Sequence, residues 1–222
     1  MTVDFVYRLV KFICNKNQQG YIAPDEFNVI INQAQYSYLD FLLGSFEQYT
    51  PGRPIARVEL GMNEDVRQRL TAFIDPPSTL TIDGTGLAPY PADYQQTDAM
   101  YTTTMGRIRY VEQDRLYGFL DDPIDPVATN PIYLINSAGF QFYPITLGSA
   151  LISFVKTPPT IVWGSTPDGN GRPIYDPGTS TDPQWYDLDF FEVTARALRM
   201  IGVNLQSAAV AQYATDIIKA GQ

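Results

Sequence analysis

The sharpest pattern of ligand-type side chains is Asn15-Lys16-Asn17-Gln18-Gln19-Gly20-Tyr21-Ile22-Ala23-Pro24-Asp25-Glu26-Phe27. Oxygen-bearing side chains at loop positions one, three and five, glycine at six, isoleucine at eight and glutamate at twelve repeat the spacing of a calcium-binding helix–loop–helix. The charge does not follow the spacing. A divalent cation needs several carboxylates, whereas Asn15, Asn17 and Gln19 are neutral, Lys16 is positive and Pro24 occupies position ten. The stretch therefore reads as a tight turn with Gly20 at a positive φ. Two groups of acids have the spacing a hydrolase would use for acid–base work: Asp121, Asp122 and Asp125, and Asp187 with Asp189. The first group lies among prolines, where aspartate is a turn former, and the second lies in the first turn of a helix, where negative charge meets the positive end of the dipole. With no histidine in the chain, Ser-His and Cys-His nucleophiles are excluded. Asp168-Gly169-Asn170-Gly171 lacks the lysine and following helix of a phosphate loop. No catalytic residue, metal ligand or cofactor set is expected.

Aromatic residues give a different signal. Trp163, Tyr175 and Trp185 flank a long loop, an arrangement that suits either sugar stacking or anchoring in a protein interface, and interfaces favour tryptophan and tyrosine as anchors. The chain has 222 residues and a formal net charge of −9, which argues against gripping nucleic acid or an anionic membrane by electrostatics. Residues 75–182 hold twelve acids and five bases, while the two flanking regions are each near neutral. A single cysteine, Cys14, rules out an intramolecular disulfide framework and reads as a small buried thiol. The start of the chain lacks the apolar core of a signal peptide, and no apolar run approaches a membrane span, so synthesis and folding in a cytoplasm are expected.

The elements that would position these residues begin with a helix capped by Thr2, with Val6, Leu9, Val10 and Ile13 on one face and its end near Asn15. A second helix from Pro24 to about Tyr49 carries Phe27, Ile30, Ile31, Ala34, Tyr38, Phe41 and Leu42 at offsets of three and four. The short link between them predicts an antiparallel helical hairpin. Residues 55–60 read as a short strand and 63–73 as a helix ended by Asp75-Pro76-Pro77. From 78 to 164 the period becomes strand-like, with strands at 79–82, 106–112, 131–136, 140–143 and 151–156 and a tight turn at Ser137-Ala138-Gly139. Residues 165–182 are nearly devoid of apolar side chains and read as a long interaction loop. Asp182 and Pro183 then open a helix with the stripe Leu188, Phe191, Ala195, Leu198 and Ile201, and an alanine-rich helix from Ser207 to Lys219 follows. The fold expected is α+β: an N-terminal helical part (1–77) and C-terminal helices (183–222) forming a small bundle, with an inserted, mostly antiparallel β module (78–164) and the loop 165–182.

Val162-Trp163-Gly164, Gly171-Arg172-Pro173-Ile174-Tyr175-Asp176-Pro177, Ile201-Gly202-Val203-Asn204-Leu205 and Gln212-Tyr213-Ala214, with the stretch Asn15 to Asn28, resemble structural proteins of tailed bacteriophages. The likeness is to ring or head–tail adaptor proteins of crAss-like phages, and the layout is also similar to podovirus tail-tube adaptors. The resemblance implies a structural virion protein and no enzyme: a ring, usually twelve-fold, joining the portal to the tail in the virion, with the portal and other tail or ring proteins as partners and DNA passing through without specific binding. A ring is a closed heterologous assembly, so each subunit needs two different complementary faces. Interface residues are then expected at Trp163, Tyr175, Trp185, Leu205, Tyr213 and Ile217, and channel-facing acids at Asp121, Asp122 and Asp125. The alternative is a capsid decoration or glycan-binding virion protein in which the aromatic residues stack on sugar.

Overall fold

The computed structural model describes residues 1–16, 21–44, 64–104, 106–121 and 126–202. The chain divides into two compact units, residues 1–69 with 158–222, and residues 70–157.

In the first unit, helix α1 (Val3–Lys16) buries Val3, Val6, Val10 and Cys14, one residue per turn on a single face. The Thr2 hydroxyl accepts the Phe5 amide at its start, and Asp182 accepts the amide of Val3 at 2.8 Å. Asp182 thus serves the N-terminus of α1 and does not cap the helix that follows it in sequence. Helix α2 (Pro24–Leu43) begins with Pro24 in its first turn and ends at Gly44, whose φ of 92° suits glycine. It ends earlier than the sequence suggested; residues 45–50 lie outside the described residues, as do 55–60. Helix α3 (Glu64–Arg69) follows in this unit, and a short 3-10 turn at Thr71–Phe73 opens the second.

The expected small helical bundle does not form. The described residues make a mixed α and β fold of five α-helices and several sheets, and extended chain takes a large share of the core. Helix α2 packs mainly along the last described helix, and it meets α1 where the Tyr7 and Phe27 rings touch edge to face at 5.1 Å. A helical hairpin closed along its length is therefore absent. The reason lies in the polar residues of α2. Asn28, Asn32 and Gln35 turn toward the extended segment 158–163, and Gln35 is 1% exposed. Asn32 Oδ1 accepts the Ile161 amide at 2.9 Å while its Nδ2 donates to the Ile161 carbonyl at 2.8 Å. Asn28 repeats this two-way pairing on Trp163 at 2.8 and 3.3 Å, and Gln35 donates to the Pro159 carbonyl at 3.1 Å.

The spacing explains why a helix can do this. Four helical residues rise about 6 Å, and two strand residues advance about 6.6 Å, so side chains at i and i+4 of a helix match every second residue of a strand. On its other edge the segment pairs through Val162 with Thr181. Residues 158–163 are thus bonded on both sides, as a central strand would be, with amide side chains standing in for one neighbour.

Residues 165–182, expected as a loop, contain a two-stranded hairpin. Among the strands numbered in chain order it is β8 (Ser165–Pro167) with β9 (Pro173–Tyr175), antiparallel. Asp168 closes its turn by accepting the Asn170 and Arg172 amides, and Gly171 has a φ of 76°. Gly164 enters the hairpin so close to Thr179 that a Cβ would lie 2.6 Å from that residue's carbonyl carbon. Helix α5 (Asp187–Met200) starts four residues later than expected and buries Asp189, Phe190, Val193, Thr194, Ala197 and Leu198. Leu188 and Phe191, assigned to its core stripe, are 84% and 47% exposed. Leu198 is buried as expected, but Leu188, Phe191 and Ala195 lie outside the buried stripe, because a buried aspartate and threonine look polar in the sequence. Residues 207–219 lie outside the described residues.

The second unit is built from strands. One sheet orders β1 (Ser78–Thr81), β7 (Ser149–Lys156) and β3 (Tyr94–Tyr101) with β7 central and both pairings antiparallel. The other orders β2 (Leu87–Ala88), β6 (Gly139–Tyr143), β5 (Ile132–Asn136) and β4 (Arg109–Tyr110), where β4 lies parallel to β5. The β5–β6 hairpin turns at Ser137-Ala138, and Asn136 Oδ1 accepts the amides of Ala138 and Gly139. Gly139 has a φ of 148° and sits where a Cβ would meet the Ala88 carbonyl oxygen at 2.1 Å, so β2 can approach only a glycine there. The core between the sheets is aromatic: Phe140 touches Tyr90, Tyr94, Tyr133 and Phe142 with centroids 4.8 to 6.5 Å apart. Burial pushes the Tyr133 hydroxyl up to about 12, so it stays protonated at neutral pH. Helix α4 (Leu116–Leu120) folds Leu116 inward with Val111, Ile132 and Leu134 and leaves Tyr117 78% exposed.

Candidate functional site

The acids that looked catalytic are occupied by the fold. Asp189, 6% exposed, accepts the Tyr38 hydroxyl at 2.7 Å and Arg69 Nη1 at 3.0 Å, and Arg69 also donates to the Tyr38 oxygen at 3.1 Å. Burial raises the Tyr38 hydroxyl above its ordinary range and the Asp189 carboxylate adds to it, so the phenol remains a donor. Asp187 lies on the exposed side of the same helix and pairs with the Met1 amine. The two carboxylates therefore face different surroundings, one buried on Tyr38 and Arg69 and one exposed beside the chain's amine. Asp121 is exposed at the end of α4, where its amide bonds the Tyr117 carbonyl; Asp122 and Asp125 lie outside the described residues.

Of the calcium-like stretch, Asn17 to Gly20 lie outside the described residues. Glu26 accepts the Ala23 amide at 3.1 Å and so completes the start of α2. Among the described residues, no group of three or more acids, cysteines or histidines is placed to hold a metal ion. Cys14 is buried, and burial raises its thiol pKa, which makes it a poor nucleophile.

Both tryptophans, expected as anchors for a partner, are 4% exposed. Trp185 donates its indole N–H to Gln35 at 3.3 Å and rests against the Tyr38 ring at 5.1 Å. Trp163 donates to Asp4 at 3.1 Å, and its ring lies between Tyr7 at 4.2 Å and Tyr175 at 5.8 Å. Neither indole offers a free face to a pyranose. Leu205, Tyr213 and Ile217 lie outside the described residues.

Trp163 and Tyr175 nevertheless belong to an open groove of about 550 Å³ between α1 and the β8–β9 hairpin. Its floor is Tyr7, Trp163 and Tyr175, and its rim carries Arg8, Lys11 and Arg172 beside Asp4. Arg8 pairs with Asp4 at 2.9 Å, and Lys11 Nζ stands 5.1 Å from the centre of the Tyr21 ring. Burial raises the Tyr7 hydroxyl well above its ordinary range, with Tyr21 adding to the effect, and the Tyr7 O–H donates to the Ile22 carbonyl. Three bases against one acid make this groove positive in a chain of net charge −9. Reading the sequence by motif missed it, because its members come from 4–21 and 163–175. The signal available was Arg8 and Lys11 at helical spacing beside Tyr7.

Large apolar side chains also stand outward on the helices. Phe5 and Phe12 on α1, Val29 and Phe41 on α2, and Leu188 and Phe191 on α5 are each between 47% and 84% exposed. No described helix is long and apolar enough to cross a membrane. The sequence matches no family model and no curated protein.

Proposed function

We propose that this chain is a structural subunit of a tailed-phage virion, a ring-forming adaptor between portal and tail that makes and breaks no covalent bond. The carrying observation is the set of exposed large apolar side chains on its helices: Leu188 and Phe191, Val29, and Phe5 stand outward although each helix already buries a stripe in the unit's own core. Such residues on three helices are what an assembly subunit needs to bury against a partner. The buried polar groups support the same reading, since Asp189, Asn32 and Gln35 are spent on holding the chain's own backbone and side chains. The ring, the portal as partner, unbound passage of DNA and residence at the head–tail junction come from the resemblance of the sequence to phage adaptors.

The test is docking onto tail-less heads. Wild-type protein should bind them at one vertex, and Leu188→Glu with Phe191→Glu should bind at least tenfold more weakly, since charge on a buried apolar contact is costly. A variant that docks as well as wild type overturns the assignment of this face, and a wild-type chain that does not dock overturns the adaptor.

A further inference from the structure

The groove between α1 and the β8–β9 hairpin has chemistry that points to its occupant. Its floor is aromatic and its rim cationic, with Arg8 and Arg172 exposed and Ile174 54% exposed at the mouth. Its volume of about 550 Å³ lies within the range of about 300–1,000 Å³ typical of sites that enclose a compact group. Nucleic acid is disfavoured by the chain's net charge of −9, and a stacked sugar by the covered faces of Trp163. An added strand is disfavoured as well, because Pro167 and Pro173 face each other in the hairpin without amide protons. A compact projection with apolar tips and acidic flanks complements what remains, an apolar interior with a cationic rim.

The chain itself carries one. Helix α4 is five residues long and holds Tyr117 outward at 78% exposure and Leu120 at 42%. Exposed Asp114 precedes it and exposed Asp121 ends it. Across 112–121 there are three acids and one base, against three bases and one acid around the groove. We infer that α4 of one copy docks into this groove on a second copy, Tyr117 and Leu120 meeting the accessible Ile174 and Tyr175 and Asp114 and Asp121 meeting Arg8, Lys11 and Arg172. This rests on the assembly reading above and supplies it with two different faces on one chain, the requirement for a head-to-tail ring. The apolar contact supplies the affinity, and the charges set which surface is accepted.

Two variants, each with one cysteine added to the buried Cys14, test it: Gly118→Cys in one preparation, beside Tyr117 and Leu120 and with open space around an added side chain, and Ile174→Cys in another, both at exposed positions. The two are mixed at the millimolar concentrations that neighbours in an assembly present to each other, then oxidised. A disulfide-linked heterodimer is expected, with none from Leu188→Cys mixed with Ile174→Cys. Adding Lys11→Glu and Arg172→Glu to the groove copy should lower the yield roughly tenfold or more, and Asp114→Lys with Asp121→Lys in the other copy should restore it. Association seen by sedimentation without the 118–174 link overturns the groove inference and leaves the assembly reading standing. No association at all overturns the groove inference, and docking on heads then decides the adaptor reading by itself.

Discussion

In residues 70–157 strands bond to strands and aromatic rings fill the space between sheets, whereas in the helical unit a strand is bonded to a helix through side-chain amides. The β5–β6 pair runs in register from Ile132↔Tyr143 to Asn136↔Gly139, all backbone to backbone. The segment 158–163 receives the same two-way bonding on one edge from Asn28 and Asn32. In the first region a backbone donor meets a backbone acceptor whatever the side chain, so the sequence is free to place Phe140 and Phe142 in the core. In the second, the identity of single polar residues decides whether a strand has a neighbour. Specificity that the first region spreads over many apolar contacts is concentrated in the second on three amides.

The comparison predicts where each unit is most sensitive. Phe140 is fully buried among four other rings, and Phe140→Ala should cost about 3–5 kcal/mol through lost transfer energy and the cavity it leaves. Far-UV circular dichroism during urea unfolding reads this, and a loss under 1 kcal/mol would break the picture of a packed aromatic core. Asn32→Ala should cost about 2–3 kcal/mol, because the partly buried amide and carbonyl of Ile161 lose both partners. Asn32→Leu should be no better, whereas a helix held mainly by apolar packing would gain from it. Both tryptophans lie in this unit, so their fluorescence during unfolding reports on the helical unit that holds the amide clamp. The smallest effect belongs to the outward face: Leu188→Glu with Phe191→Glu should change stability by no more than about 0.5 kcal/mol, while removing docking on heads. A large loss of stability would place those residues in the core after all.

The same contrast sets what could be read from the sequence. Strands β5, β6 and β7 were legible because β-branched and aromatic residues cluster between turn formers, and the turn at Ser137-Ala138 was legible from its small residues. Strand β3 was missed, since Tyr94-Gln95-Gln96-Thr97-Asp98 looks like solvated loop; its irregular register with β7 shows why its pattern does not alternate cleanly. The helical unit was misread wherever a polar side chain is buried. Asp189 and Thr194 shifted the stripe of α5 onto Leu188 and Phe191, and Asn28, Asn32 and Gln35 gave no hint that α2 partners an extended segment instead of completing a bundle. Trp163 and Trp185 were placed at an interface because aromatic residues next to a loop suggest exposure; Asp4 and Gln35 show that each indole N–H is satisfied within the chain. The groove was invisible because its cations and rings are brought together from distant parts of the sequence.

The account stands most directly on where the protein sits in a particle. On the proposed adaptor reading, immunogold labelling of intact and tail-stripped phage particles, with an antibody raised against this chain, should place gold at one vertex per particle, exposed further once the tail is removed. Gold spread over the capsid, or absent from the particle, would contradict the adaptor.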